Sequence, residues 1–161
     1  MTLYVLRHAI AEAHRPGQAD SARQLAGRGR AKARRVLSHA CRVGVRPATI
    51  LTSPYARAVQ TAEIAIRELA TAGRPIQTHG LVPFVSAFDL WSELRDHLRS
   101  GDTMAVGHNP QLSSLVTLLI GARADALWLK KSGLVALDVG AAGVQPRAEL
   151  SWLLTPRSVG K

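Results

Sequence analysis

The stretch LYVLRHA, residues 3–9, decides how the rest of the chain is interpreted. Its first four residues are apolar and typical of a strand buried in a sheet. The run ends in Arg7 and His8, two side chains that can carry positive charge. A titratable side chain is costly to bury unless it has a task. We therefore expect Arg7 and His8 to serve a functional site at the end of this strand.

Strand-like and helix-like segments alternate along the 161 residues. Strands are predicted at residues 3–6, 49–52, 76–78 and 103–107, and a closing pair at 134–139 and 148–154 across a turn at 140–143. Apolar residues recur at helical spacing between them: Ala33, Val36, Leu37, Ala40 and Cys41; Val59, Ala62, Ile66 and Leu69; residues 88–98; and Leu112, Leu115, Val116 and Leu119. The alternation predicts one α/β domain over residues 1–161, a three-layer sandwich whose mostly parallel central sheet has helices on both faces.

Two of these helices have recognisable start signals. Ser53 fits an N-cap with Pro54 at the first helical position, and Asn109 and Pro110 repeat the pattern. Such residues stabilise a helix N-terminus, since the cap accepts a backbone N–H and proline has none to satisfy. The sequence therefore predicts helices that begin directly after the strands at 49–52 and 103–107.

Cationic side chains follow three of the predicted strands. Arg7 and His8 end the first strand, Arg57 lies in the first turn after the second, and His108 follows the strand at 103–107. Ligands of α/β sheets bind beyond the carboxyl ends of the strands, and helix N-termini at that edge favour anions. These four residues are therefore predicted to form one pocket for a phosphoryl group.

The composition is strongly basic. Lys and Arg number 21 against 11 Asp and Glu, a formal net charge of +10. Eight of these cations fall between Arg23 and Arg46, where they form either a solvated helix face or a surface for an anionic partner. Charge alone does not choose among phosphate, RNA and acidic proteins. No nucleic-acid motif is present, and aromatic residues make up only 4% of the chain.

Metal, membrane and disulfide chemistry are not expected. His8 and His108 have no nearby set of Cys or carboxylate residues to complete a zinc site, so we predict no metal and no cofactor. No apolar run has the length of a membrane span, and charged residues appear before a signal-peptide pattern can form. The single cysteine, Cys41, is expected in a helix core, and with no disulfide the chain is expected in the cytoplasm. Trp91, Trp128 and Trp152 are also expected in the core.

The segments around these residues resemble the histidine phosphatase superfamily, which has the phosphoglycerate-mutase-like fold. LRHA at 6–9, SPYARAVQTAEI at 53–64 and VGHNPQL at 106–112 are similar to its Arg-His-Gly, Ser-Pro-x-x-Arg-Ala-x-x-Thr and Gly-His signatures. The short length, the Gly-His-Asn-Pro sequence and DSARQL at 20–25 most resemble the SixA-type phosphohistidine phosphatase branch. Ala9 departs from the pattern, because much of the superfamily has glycine there.

The resemblance implies a role for each site residue. His8 would attack phosphorus and form a phosphohistidine intermediate that water then hydrolyses. Arg7 and Arg57 would clamp the phosphoryl oxygens, and His108 would donate to the same oxygens. Arg23, Ser53 and Asn109 are the further residues expected to bind the substrate. For this chemistry the other ring N–H of His8 must be held by an acceptor, which we expect to be a backbone carbonyl.

A second departure concerns the acid that protonates an alkoxide leaving group in larger members of the superfamily. In residues 80–94, GLVPFVSAFDLWSEL, glutamate is absent until Glu93, and the candidates for the acid are Asp89 and His108. A missing acid would slow ester hydrolysis, whereas an imidazole leaving group can depart neutral. This region has too few residues to form a lid over the pocket. An open pocket suits a phosphorylated side chain of another protein as substrate.

We therefore predict a metal-independent phosphatase that acts on phosphohistidine in a partner protein. Two alternatives remain at this point. One is a phosphatase of small phosphomonoesters or phosphoanhydrides. The other is a non-catalytic protein of the same fold that binds anions or nucleic acid.

Overall fold

The computed structural model describes residues 1–160, and a six-stranded sheet lies at its centre. The strands are β1 Thr2–Arg7, β2 Thr49–Thr52, β3 Ile76–Gln77, β4 Thr103–Gly107, β5 Leu134–Asp138 and β6 Glu149–Leu154. Their spatial order is β3-β2-β4-β1-β5-β6. The pairs from β3 to β1 are parallel, whereas β5 runs antiparallel to β1 and to β6. The predicted closing pair is present, although residues 139–148 connect it rather than a four-residue turn.

Helices cover both faces of this sheet. They are α1 Gly27–Arg42, α2 Ala56–Leu69, α3 Ala87–Leu98 and α4 Gln111–Leu119. Alternate side chains of β1 point to opposite faces, as a strand requires. Tyr4 and Leu6 pack in a core with α1 and α2, while Leu3 and Val5 pack in a second core with α3 and α4. The predicted three-layer α/β sandwich is confirmed.

The start of α2 differs from the prediction. The helix begins at Ala56 with Tyr55 as its N-cap, and no side chain caps it. Ser53 is not the cap, and Pro54 precedes the helix. Instead, the hydroxyl of Ser53 lies 2.9 Å from Nε2 of His108 on the neighbouring strand end. The Ser53 side chain therefore makes a tertiary contact instead of the capping contact that the local sequence predicts.

The start of α4 differs in the same way. Pro110 is the N-cap and Gln111 the first helical residue. The predicted cap, Asn109, turns its amide away from the helix and donates from Nδ2 to the carbonyl of Leu129 at 3.0 Å. The prediction of an Asn109 cap was wrong because this side chain joins two loops at the edge of the sheet.

The tryptophans and the cysteine lie in different environments. Trp91 is fully buried, and its indole donates to the carbonyl of Gly143 at 3.2 Å. Trp152 is partly buried against Tyr4, and Cys41 is partly buried against the core beside α1 and α2. Trp128 is 58% exposed, so its assignment to the core was wrong. Among residues 1–160, no helix has both the length and the hydropathy of a membrane span.

Candidate active site

Three neighbouring strands bring the predicted site residues together. Gly107, at the end of β4, pairs with Arg7 at the end of β1, and β2 lies on the other side of β4. His8 and His108 therefore follow adjacent parallel strands. Their ring centroids are 4.9 Å apart, and the residues are only 5% and 2% exposed. The sheet thus places the two histidines side by side at its carboxyl edge.

The ring of His8 is held in one tautomer. Its Nδ1 atom lies 2.7 Å from the carbonyl oxygen of Ala9. Because a carbonyl can only accept, Nδ1 carries the proton, and Nε2 of the neutral ring keeps its lone pair. Burial lowers the pKa of His8 to about 3, since the hydrogen bond to Ala9 only partly opposes it and the charge of Arg57 lowers the pKa further. His8 is therefore a neutral ring with a free Nε2 at physiological pH.

His108 is oriented by Ser53. The Ser53 hydroxyl lies 2.9 Å from Nε2 of His108 and also accepts the Tyr55 backbone N–H at 3.3 Å. The hydroxyl can donate to Nε2, and in that arrangement the ring proton of His108 lies on Nδ1. Nδ1 is buried and has no hydrogen-bond partner among the described residues. Burial, followed by the charges of neighbouring groups, lowers the pKa of His108 to about 2.

Arg57 is almost completely buried and is fixed by Asp20. Its NH1 donates to the Asp20 carbonyl at 2.7 Å, and its NH2 donates to the Asp20 carboxylate at 2.9 Å. The same carboxylate lies 3.1 Å from Nε of Arg23. Burial alone would raise the pKa of Asp20, but the hydrogen bond and charge of Arg57 outweigh it, and the net shift is downward. Asp20 is therefore an ionised group that holds two arginines at the pocket.

Arg7 is anchored by the loop before β5. Its NH1 donates to the carbonyl of Leu129 at 2.7 Å, the same carbonyl that binds the amide of Asn109. The centre of its guanidinium lies 5.8 Å from the ring centroid of the exposed Trp128. Burial lowers the pKa of Arg7, although a guanidinium keeps its charge in proteins. Arg7 therefore presents a fixed cation beside the two histidines.

The candidate acid Asp89 is engaged elsewhere. Its backbone N–H donates to the hydroxyl of Ser86, which in turn lies 2.6 Å from the Asp89 carboxylate. These contacts cap α3 at its N-terminus. Glu93, the next carboxylate along the chain, is bonded to the hydroxyl of Thr78. Neither side chain bonds to any of the four predicted catalytic residues.

Sequence reasoning missed several residues at this site, namely Asp20, Tyr55, Trp128 and Lys131. Tyr55 packs against His108 and Arg57, with its ring centroid 5.0 Å from the His108 ring and from the Arg57 guanidinium centre. The position of Lys131 near the site could have been predicted, because an antiparallel β5 begins at the edge where β1 ends. The role of Asp20 could not have been predicted from the sequence, since it depends on the path of the loop after β1. In the part of the chain described, no three His, Cys, Asp or Glu residues form a group that could hold a metal.

Known proteins are similar to this chain in sequence and in fold. A family model described as histidine phosphatase superfamily (branch 1) matches residues 3–81. An uncharacterized protein of Picosynechococcus is 34% identical over 163 residues, which is 98% of each chain. A protein of Agrobacterium tumefaciens provisionally assigned as the phosphohistidine phosphatase SixA is 26% identical, with a TM-score of 0.81 over 96% of this chain and 98% of that one.

Two further structures share the fold. The protein histidine phosphatase SixA complexed with tungstate has a TM-score of 0.88 at 19% identity, over 99% of this chain and all of that chain. A mycobacterial glucosyl-3-phosphoglycerate phosphatase complexed with VO3 has a TM-score of 0.71 at 16% identity, over 94% and 97%. The family match on the segment that carries Arg7, His8 and Arg57, together with the 26% identical structure, identifies the chain as a phosphatase of the histidine phosphatase superfamily.

Proposed function

We propose that this phosphatase hydrolyses phosphohistidine on a partner protein through a covalent intermediate on His8. The observation that carries the proposal is the hydrogen bond from Nδ1 of His8 to the carbonyl of Ala9. It leaves Nε2 as an unprotonated nucleophile in a ring that burial keeps neutral.

In the first step, Nε2 of His8 bonds to phosphorus while the bond from phosphorus to the substrate nitrogen breaks. Arg7 and Arg57 stabilise the charge on the phosphoryl oxygens, and the N–H at Nδ1 of His108 donates to one of them. The leaving imidazole keeps the electron pair of the broken bond. It departs as a neutral ring when solvent has first protonated its distal nitrogen, so the reactive form of the substrate is the phosphohistidine with a cationic ring.

In the second step, water displaces His8. The water oxygen bonds to phosphorus, the bond from phosphorus to Nε2 breaks, and the released proton passes to phosphate or solvent. His8 returns to its starting tautomer, since Nδ1 stays bonded to the Ala9 carbonyl throughout. The same arginines serve both steps because charge develops on the same oxygens.

The acidic groups near the site favour a P–N substrate over an ester. Among residues 1–160, Asp20 is the carboxylate that bonds to the arginines of the pocket, and its pKa is lowered. An ionised carboxylate cannot protonate an alkoxide leaving group. The carboxylate of Asp89 instead bonds to Ser86, the N-cap of α3. Phosphohistidine avoids this need, which is why we place it above sugar phosphates.

Phosphate release from three substrates tests the proposal. Wild type and His8→Ala would be compared on a phosphohistidine-bearing protein, a sugar phosphate and an aryl phosphate, with chelator present. We expect preferential release from the first, lost in the variant and unaffected by chelator. Release mainly from the sugar phosphate would favour a small-molecule phosphatase with an unidentified acid. No release from any substrate would favour a binding protein on this fold.

A further inference from the structure

The turn formed by residues 128–133 is pinned against the catalytic strand. The Ser132 N–H lies 3.1 Å from the carbonyl of Arg7 and 3.3 Å from that of His8, and the Arg7 N–H donates to Gly133 at 3.0 Å. Ser132 is fully buried at φ +60°, a region that non-glycine residues rarely adopt. A Cβ on Gly133 would lie 2.7 Å from the carbonyl of Lys130. This turn is therefore tightly built and fixed in position beside His8.

Lys131 lies in this turn and carries a charge that forms no ion pair with the residues that the structure describes. The residue is exposed. Partial burial and the charges of Arg7 and Arg23 lower its pKa, and its own charge helps to lower the pKa of His8. Because the next residue, Ser132, bonds to the carbonyls of Arg7 and His8, Lys131 lies beside the cations of the pocket.

The net positive charge of the pocket is large enough to bind a second anion. Its cations are Arg7, Arg23, Arg57 and Lys131, and Asp20 is the carboxylate paired with two of them. Three positive charges are therefore in excess, whereas a bound phosphoryl group supplies at most about two negative charges. Arg7 and Arg57 are already held by protein acceptors. Lys131 is the cation left without a partner.

We propose that Lys131 and Arg23 form a second anion subsite, which binds a negatively charged group next to the scissile phosphoryl group. This proposal rests on the proposed function, because it assumes that the phosphoryl group occupies the pocket between Arg7 and Arg57. The anion can come from an acidic side chain next to the phosphohistidine of a protein, or from a second phosphoryl group in a phosphoanhydride.

Anion binding tests the subsite without turnover. Calorimetric titration would compare inorganic phosphate and pyrophosphate on wild type, Lys131→Met and Lys130→Met. Lys130 is the matched control, since it is an exposed neighbour of the same charge. We expect Lys131→Met to weaken pyrophosphate binding about fivefold and phosphate binding less than about twofold, the size of one partly exposed ion pair. Equal loss for both anions, or the same loss in Lys130→Met, would overturn the subsite.

A pair of phosphohistidine peptides identifies the source of the anion. One carries glutamate next to the phosphohistidine and the other glutamine. If acidic side chains fill the subsite, wild type shows a kcat/KM about three- to fivefold higher for the glutamate peptide, and Lys131→Met loses the preference. Equal rates, with pyrophosphate selectivity kept, support the subsite and assign it to a second phosphoryl group. No hydrolysis of either peptide, with that selectivity kept, contradicts the proposed function while the subsite stands.

Discussion

The ring of His8 combines burial with a fixed tautomer, and this combination predicts how it titrates. Burial lowers the pKa of His8 to about 3 and that of His108 to about 2. We expect neither ring to titrate between about pH 5 and pH 8, where an unperturbed imidazole would. Nitrogen NMR of the labelled protein in phosphate-free buffer measures this directly. A transition of the His8 ring near its ordinary pKa would contradict the buried, neutral nucleophile.

The same lowered pKa makes the stability of the protein depend on pH. In the unfolded chain, His8 binds a proton below its ordinary pKa of about 6.5, whereas the folded chain keeps it neutral down to about pH 3. The free energy of unfolding therefore falls as the pH is lowered through this window. Between about pH 6 and pH 4, we expect the slope for wild type to exceed that for His8→Asn by about 1.4 kcal/mol per pH unit. Urea unfolding at several pH values measures it, and parallel slopes would argue against the shift.

We propose that Ser53 is a positioning residue, because its hydroxyl contacts Nε2 of His108. Removing its hydroxyl in Ser53→Ala leaves Nε2 of His108 buried without a partner, which costs about 1–3 kcal/mol of stability. We expect kcat to fall about tenfold or more while KM changes little, because the proton on Nδ1 is no longer fixed. Ser53→Thr should restore most of the rate. Unchanged kinetics in Ser53→Ala would show that this hydroxyl does not control the tautomer.

The N-terminus of helix α3 explains the position of Asp89, the residue that the sequence offered as a candidate acid. Asp89 caps its N-terminus together with Ser86. We expect Asp89→Asn to lower the free energy of unfolding by about 1 kcal/mol or less and to leave kcat/KM on the phosphohistidine protein within about twofold. Ser86→Ala is the matched control for the cap. A large loss of activity in Asp89→Asn alone would instead support its role as the acid.

The elements were predictable from periodicity, but the starts of two helices were not. Apolar alternation and helical spacing locate the strands and helices because burial of one face imposes those periods. Ser53 and Asn109 carry strong capping signals, yet their side chains bond to His108 and to the Leu129 carbonyl. Those partners lie 55 and 20 residues away along the chain. Local sequence does not contain such contacts.

At the scale of the molecule, topology explains which parts of the site were predictable. Parallel strands end at one edge of the sheet, so the sequence alone was enough to place Arg7, His8 and His108 together. Asp20 and Lys131 lie in loops whose course depends on the packing of the whole chain. Within the basic segment from Arg23 to Arg46, Arg23 pairs with Asp20 at the site, whereas Arg35 donates to the carbonyl of Pro156.

Trapping the covalent phosphoenzyme tests whether His8 is the nucleophile. Wild type and His8→Ala would be mixed with a protein labelled at phosphohistidine, quenched rapidly in alkali and analysed by mass spectrometry. We expect transient label on His8 of wild type, lost on acid treatment, and none on the variant. Phosphate release by His8→Ala at the wild-type rate, or label on another residue, would contradict the role of His8 as the nucleophile.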